Sequence, residues 1–466
     1  MRILDWNALD EPGRADALTR PQFHAAAHVR SLALEVIERV RREGDAALRV
    51  LTERFDRVWL ESCVVTAREF AAARRALSSQ QIEALEQAMA NVERFHKALI
   101  PAPVVVVTQP GVKCEEVVRP IGSVGLYVPA GTAPLPSTVI MLGVPSRIAG
   151  CPTRVLCTPP RAGGSAHPAV LVAAELCGIQ AVFKVGGAQA IAALAYGTES
   201  VPKVDKILGP GNAWVTAAKQ LVASDPCGAA CDVPAGPSEV MVLADDTADA
   251  GFVAADLLAQ AEHDVLAQAI LVTDSSRLAQ AVAESIARQR TALSRSAILA
   301  QSLTACRAIV VPDLDTALEV ANRYAPEHLM LQVREPRRTL THVRNAGSVF
   351  LGPWSAEAFG DYCSGTNHVL PTYGHARVAS GLSVRDFMRT MSVQELTLEG
   401  VTALGATAIT LARLEALDAH AQAVARRLAA AGAKETDASA AAALAAGPAE
   451  LEHADARTRP RGGICP

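Results

Sequence analysis

Several things are scarce in this sequence, and each scarcity narrows what the chain can do. Aromatic residues make up only 4% of it while alanine is abundant. We read that bias as genome composition and not as function. The ten cysteines are scattered without a CxxC pair, the nearest spacings being Cys151/Cys157 and Cys227/Cys231. A disulfide framework or a thiolate zinc site is therefore not expected, and the cysteines read as small buried hydrophobes. Charge of one sign is also missing. With a net charge of −4, nothing points to nucleic acid or to an anionic membrane surface. No apolar run is long enough to span a bilayer. The opening "MRILDWNALDEPGRAD" carries acidic residues early and has no apolar h-region, so it is not read as a secretory signal. A cytoplasmic enzyme is the default expectation.

What is present is length and alternation. A chain of 466 residues exceeds what one hydrophobic core usually organises, so two or more domains are expected. Residues 23–56 and 78–99 carry helical apolar spacing, with Ser78 and Gln81 placed as a capping box. Short β-rich runs follow at 124–129, 154–159, 181–187 and 204–212, then at 239–245, 269–274, 308–313, 329–333 and 347–352. Helical segments separate most of them. Apolar strands alternating with helices predict parallel sheets covered on both faces, in two α/β units. After about residue 381 the strands are expected to stop and helices to follow. From about 433 the chain is low-complexity and reads as a mobile tail.

Candidate chemistry sits in the turns. "YVPAGTAPLPST" and "GPGN" each follow a strand and open a helix, where backbone N–H groups can meet phosphate. Neither is a GxGxxG or a P-loop, and an ordinary Gly/Pro turn is the plainer alternative. The same alternative holds for "DVPAGPSE", which offers Ser238. In "DLLAQAEHD", Gln260 and His263 lie three apart on a helical stretch and project from one face, the geometry of two metal ligands. A polar surface face is the alternative. "GDYCSGTNHVLPT" offers Asp361 and His368 to complete such a shell, and "EALDAH" puts Glu415 and His420 five apart in a helix. In "NRYAPEHLML", Glu327 and His328 follow Pro326 at the mouth of a buried-strand pattern. They are either a solvated corner or a proton-handling pair at the edge of a core. Together these residues suggest a metal-assisted, base-catalysed site and leave the reaction open.

Eight separated blocks resemble the histidinol dehydrogenase family. They are "RPIGSVGLYVPAGTAPLPSTVIMLGVPSRIAGC", "GPGNAWVTAAK", "DVPAGPSEVMVLADDTA", "DLLAQAEHD", "YAPEHL", "AGSVFLG", "GDYCSGTNHVLPT" and "SGLSV". They run in family order over roughly residues 25–430. Ala130, Val378 and Ala379 are departures from the family's usual residues.

The resemblance implies an α/β protein with two incomplete Rossmann-like parallel-sheet domains and small helical N- and C-terminal extensions. The boundaries expected are 1–24 for the N-terminal extension, 25–126 with 238–380 for the first domain, and 127–237 for the second. A C-terminal dimerisation extension at 381–432 and the tail at 433–466 complete the division. The activity implied is zinc-dependent oxidation of L-histidinol to L-histidine through the aldehyde, with two hydride transfers to NAD, in an intertwined homodimer with sites shared between subunits.

Residue by residue, the resemblance implies Gln260, His263, Asp361 and His420 as zinc ligands that also line the substrate pocket. It implies Ser238, His328 and Glu415 as substrate contacts, Tyr127, Gln189 and Asn212 as NAD contacts, and Glu327 and His328 as the proton-transfer residues. A neutral imidazole suits removal of a hydroxyl proton near pH 7, and a carboxylate suits activation of the water that must add to the aldehyde. A thiohemiacetal route through Cys114 or Cys151 is the rival mechanism. A zinc- and NAD-dependent dehydrogenase of another small polar alcohol is the alternative function, and a catalytically silent binding protein on the same scaffold is a third.

Overall fold

A computed structural model of the chain describes residues 1–21, 26–130, 133–232 and 236–430. The tail expected at 433–466 lies outside them, as do residues 131–132 of "VPAGT" and 233–235 of "DVPAGPSE". Fourteen strands occur among the described residues. They are β1 (Arg2–Asp5), β2 (Val104–Gln109), β3 (Val112–Pro120), β4 (Ser123–Tyr127), β5 (Thr153–Thr158), β6 (Ala181–Lys184) and β7 (Lys206–Leu208), then β8 (Ala230–Cys231), β9 (Glu239–Ala244), β10 (Gln268–Thr273), β11 (Arg307–Val310), β12 (His328–Gln332), β13 (Ser348–Leu351) and β14 (Met388–Leu396). No helix among the described residues is long and apolar enough to cross a membrane.

Two parallel sheets carry the fold. One has six strands in the order β1-β11-β10-β9-β12-β13, the other five in the order β6-β5-β4-β7-β8. Their strands are apolar throughout because both faces are covered by helices. On β9, Val240, Val242 and Ala244 enter one core cluster while Met241 and Leu243 enter the cluster on the opposite face. Each such fully buried aliphatic side chain stabilises the fold by about 1.5–3 kcal/mol. The two α/β runs expected from the sequence are these two sheets. The edges differ slightly: β4 begins at Ser123, ahead of the 127 boundary, and β1 joins the six-stranded sheet from the N-terminal segment.

Other expectations are corrected. The helical stretch 23–56 is two helices, Ala26–Glu43 and Asp45–Asp56, broken at Gly44, whose φ of 54° favours glycine. The capping box at Ser78 is present, opening the helix Ser79–Ala98. Strands do not stop at 381: β14 runs nine residues in a three-stranded sheet of order β14-β3-β2. Nearly all its residues are exposed, so it lacks the apolar signature that marks the other strands.

The chain divides into two compact units, Met1–Pro101 with Arg119–Arg389, and Ala102–Val118 with the chain from Thr390 on. Both parallel sheets belong to the first unit. The second holds a helix pair, Leu398–Leu414 and Asp418–Ala430, packed through Ile409, Ala412 and Ala421.

Candidate active site

The amino edge of the six-stranded sheet gathers the ionisable residues. The helix Leu314–Tyr324 ends on Ala325 in the left-handed region, Pro326 blocks its continuation, and β12 starts at His328. β12 lies between β9 and β13, so His328 is held on both sides, opposite Val240 and Ser348. The Glu327 carbonyl accepts from the Ser348 N–H at 2.8 Å. A Cβ on neighbouring Gly347 would stand 2.6 Å from that carbonyl oxygen, so the close approach needs glycine.

The pair is not a solvated corner: Glu327 is 5% and His328 3% exposed. Glu327 Oε2 accepts the Glu239 N–H at 2.8 Å. His328 Nδ1 lies 3.1 Å from the Glu239 carbonyl, which can only accept, so Nδ1 carries the proton and Nε2 faces Asp361 Oδ1 at 3.5 Å. Glu357 and Asp361 stand one turn apart on the helix Glu357–Tyr362. Glu357 Oε1 is 3.5 Å from His328 Nδ1, and both its oxygens are buried without a hydrogen-bond partner. Ligand atoms of His328, Glu357 and Asp361 all lie within 4.8 Å of one another.

Burial sets the electrostatics. It pushes the Glu327 carboxyl up to about 8, partly offset by His328 and the Glu239 N–H. It pushes Glu357 well above the ordinary carboxylate range. Burial opposes charge on His328, yet Glu357, Glu327 and Asp361 together push its imidazole up to about 10. Asp361 is desolvated too, but His328, His368 and His263 hold it below its ordinary value.

Gln260 and His263 flank a helix end. The helix Ala250–Ala261 stops before His263, so the two share a turn, His263 N–H to Gln260 carbonyl at 3.2 Å, and not one helical face. Gln260 is fully buried with both amide atoms unpartnered. His263 is exposed, with Nε2 3.9 Å from Asp361 Oδ2. His368 is already engaged: Nδ1 lies 2.7 Å from the Asp361 carbonyl and Nε2 3.1 Å from Thr138 Oγ1. Ser238 is half-buried directly before β9, and its carbonyl accepts the Gln268 N–H.

Glu415 and His420 lie in the second unit, both exposed. They do not share a helix. Glu415 caps Leu398–Leu414, Ala416 takes a left-handed φ of 55°, and His420 belongs to the next helix.

The carboxyl edge of the five-stranded sheet opens onto a cavity. Tyr127 ends β4, Pro159 follows β5, Gly187 follows β6 and Asn212 follows β7. These residues and Gln189 line a cavity of about 650 Å³. The Gly187 N–H donates to the Tyr127 hydroxyl at 3.0 Å. Gln189 is buried with its amide nitrogen unpartnered. Asn212 caps the helix Ala213–Ser224, accepting from the Trp214 and Val215 N–H groups. Asp264, next to His263 in sequence, lines the same cavity.

Four residues escaped the sequence reading. Glu239 accepts both guanidinium arms of Arg20, at 2.5 and 2.9 Å, and ties the N-terminal segment to the cluster. Glu357 and Asp56 complete the list. Each is a single charge in an unremarked stretch; its environment exists only once distant segments meet.

A family model described as histidinol dehydrogenase matches residues 19–428. The histidinol dehydrogenase of Xanthomonas oryzae pv. oryzae is 56% identical over 428 residues, covering 92% of this chain and 99% of that one. The enzyme of Vibrio parahaemolyticus is 52% identical, with coverages of 92% and 98%. The crystal structure of the Elizabethkingia anophelis histidinol dehydrogenase superposes with a TM-score of 0.89 at 41% identity, covering 92% of this chain and 98% of that one.

Proposed function

The chain belongs to the histidinol dehydrogenase family, an oxidoreductase of histidine biosynthesis, and from that premise we propose how its residues divide the work. The reaction proposed is zinc-dependent oxidation of L-histidinol to L-histidine through L-histidinal, with two hydrides passed to NAD. The observation that carries it is the buried Glu327–His328 pair, set beside Asp361 at the amino edge of one sheet.

The residues fit both groups. Gln260 has a buried amide with no partner, and the carboxylate and imidazole of Asp361 and His263 lie 3.9 Å apart one turn away. This is an N/O donor set of the kind zinc takes. Gln260, His263, Asp361 and His420 would hold the metal, which supplies a template for the substrate imidazole and amino nitrogens. The cavity, with Gln189 unpartnered and Tyr127 and Asn212 on its wall, is of a size for a nucleotide. NAD there supplies the hydride acceptor. Ser238, Glu415 and the metal ligands would hold the substrate.

His328 Nε2 takes the alcohol proton as the first hydride leaves; its Nδ1–H is fixed by the Glu239 carbonyl, and the surrounding carboxylates stabilise the imidazolium that forms. A cation held by Asp361 would offset the negative charge beside His328, which would let the imidazole start neutral. Glu327, whose ionised form burial makes a stronger base than an ordinary carboxylate, takes a proton from the water that adds to the aldehyde. After releasing the first proton to solvent, His328 takes a second from the resulting gem-diol as the second hydride leaves. A thiolate route is less well supported, because Cys151 is buried, its thiol pushed up to about 11, and donates to the Phe387 carbonyl. Cys114 lies on β3 in the three-stranded sheet.

The functional division places substrate with 238–380 and NAD with 127–237, the helices within 26–56 closing the NAD cavity from one side. The 381–432 extension builds a homodimer in which Glu415 and His420 complete the partner's site. Nine free thiols among the described residues support a cytoplasmic setting. The deciding assay is NADH yield from limiting L-histidinol. Two equivalents per substrate, abolished by a chelator and restored by zinc, are expected. A yield of one equivalent would sink the four-electron reading, and indifference to chelation would sink the zinc.

A further inference from the structure

The cavity along the five-stranded sheet carries one feature that the proposed roles leave unused. In chain order its strands lie third, second, first, fourth, fifth, the dinucleotide-binding order without its sixth strand. In such a unit a carboxylate at the end of the second strand meets the hydroxyls of the adenosine ribose. Here that strand, β5, ends in Thr158, Pro159 and Pro160, with no carboxylate. A carboxylate reaches the cavity from outside the sheet instead. Asp56, the last residue of the helix Asp45–Asp56, lines it, with Oδ2 buried and without a hydrogen-bond partner. Asp56 stands near enough to Tyr127 that its charge adds to the effect of burial in raising the Tyr127 phenol.

The other charged groups on the wall are placed differently. Arg39 is held by Glu43 at 2.9 Å. Glu35 and Asp264 are exposed. Arg54 lies over the Phe55 ring, and Phe55 lines the same wall. A buried carboxylate oxygen with no donor is costly unless something supplies one. The diol of an adenosine ribose supplies two, whereas 2′-phosphorylation removes one of them and brings like charge against the carboxylate.

We propose that Asp56 is the residue that selects NAD over its 2′-phosphorylated counterpart, its free oxygen accepting the hydroxyls of the adenosine ribose. The inference rests on the cavity being the NAD site. Arg54, two residues earlier on the same wall, is the group a 2′-phosphate would find once the carboxylate is gone.

The test is binding of NADH and NADPH to the full chain, followed by nicotinamide fluorescence, in wild type and Asp56→Asn. Wild type should bind NADH well and NADPH at least about a hundredfold more weakly. Asp56→Asn should weaken NADH about tenfold, in line with loss of a charged hydrogen bond, and narrow the preference by tenfold or more. The variant should melt no lower than wild type at pH 8, because burial already pushes the Asp56 carboxyl up to about 6 and its ionised form destabilises the fold. If it melts lower, Asp56→Ser decides in its place. Unchanged NADH affinity and preference in a folded variant overturns the role of Asp56 alone. NADH binding that survives Gln189→Ala with Asn212→Ala overturns the cavity reading beneath it.

Discussion

The two parallel sheets present opposite edges to the candidate site. The five-stranded sheet offers its carboxyl edge, where open α/β sheets ordinarily bind ligands. The sheet's own groups on the cavity there include Tyr127, Gln189 and Asn212, which carry no charge and act through hydrogen bonds, while Asp56, Arg39 and Arg54 reach the cavity from outside the sheet. The six-stranded sheet offers its amino edge, where Glu239 opens β9 and His328 opens β12. That edge collects Glu239, Glu327, His328, Glu357 and Asp361, all buried. The difference teaches a division of labour. A neutral edge can hold a large ligand without competing for its protons, while a crowded, desolvated set of carboxylates and imidazole can shift protons and hold a cation. Neither edge performs the other's task with the residues it has.

The comparison breaks most readily at the charged edge. His328→Asn should lower both oxidations by about 10³-fold, the scale of a lost general base, while leaving NADH binding within about twofold if NAD sits at the neutral edge. Glu327→Gln should lower aldehyde oxidation by about 10²-fold and alcohol oxidation by less than tenfold. Single-turnover NADH formation from L-histidinol and from L-histidinal separates the steps. Equal losses for Glu327→Gln on both substrates would remove its role in water activation.

A second test asks whether the charged edge is complete within one chain. If His420 and Glu415 serve the partner's site, dimers mixing an Asp361→Asn chain with a His420→Asn chain should recover about one working site. Each homodimer alone should be inactive and poor in bound zinc. Mixed dimers with neither activity nor zinc would show that the sites are not shared.

How much of this was legible in sequence follows the same contrast. The parallel strands could be read because both faces are buried, which leaves continuous apolar runs such as "EVMVLA". Glu327 and His328 stood out because Pro326 and an apolar strand bracket them. Strand β14 could not be read, since most of "MRTMSVQEL" is exposed and nothing forces alternation. The helix break between Glu415 and His420 has no Gly or Pro to announce it; Ala416 takes the left-handed turn. Glu239 and Glu357 were invisible for another reason. Their environment comes from Arg20, 219 residues away from Glu239, and from the packing of a short helix onto β12. Local pattern carries burial and turns; it does not carry which distant charges meet.

The smallest expected effect sharpens the comparison from the other side. His96, on the helix Ser79–Ala98, is as buried as His328 but belongs to no carboxylate cluster. Both its ring nitrogens lack partners, and burial pulls its imidazole down to about 4, with Asp386 opposing only weakly. Buried imidazoles in the two regions are thus driven in opposite directions, one kept neutral by desolvation and the other pushed toward the charged form by its neighbours. Because folded His96 resists the proton that the unfolded chain accepts near pH 6.5, its contribution is full above that pH and is lost as pH falls toward 4. The loss amounts to about 3 kcal/mol at most. Urea unfolding of wild type and His96→Leu, followed from pH 7.5 down to pH 4, should show the wild type losing more stability over that window, since the carboxylates common to both titrate alike. Parallel curves would mean that His96 gains a proton acceptor on acidification, and the contrast between the two imidazoles would fail.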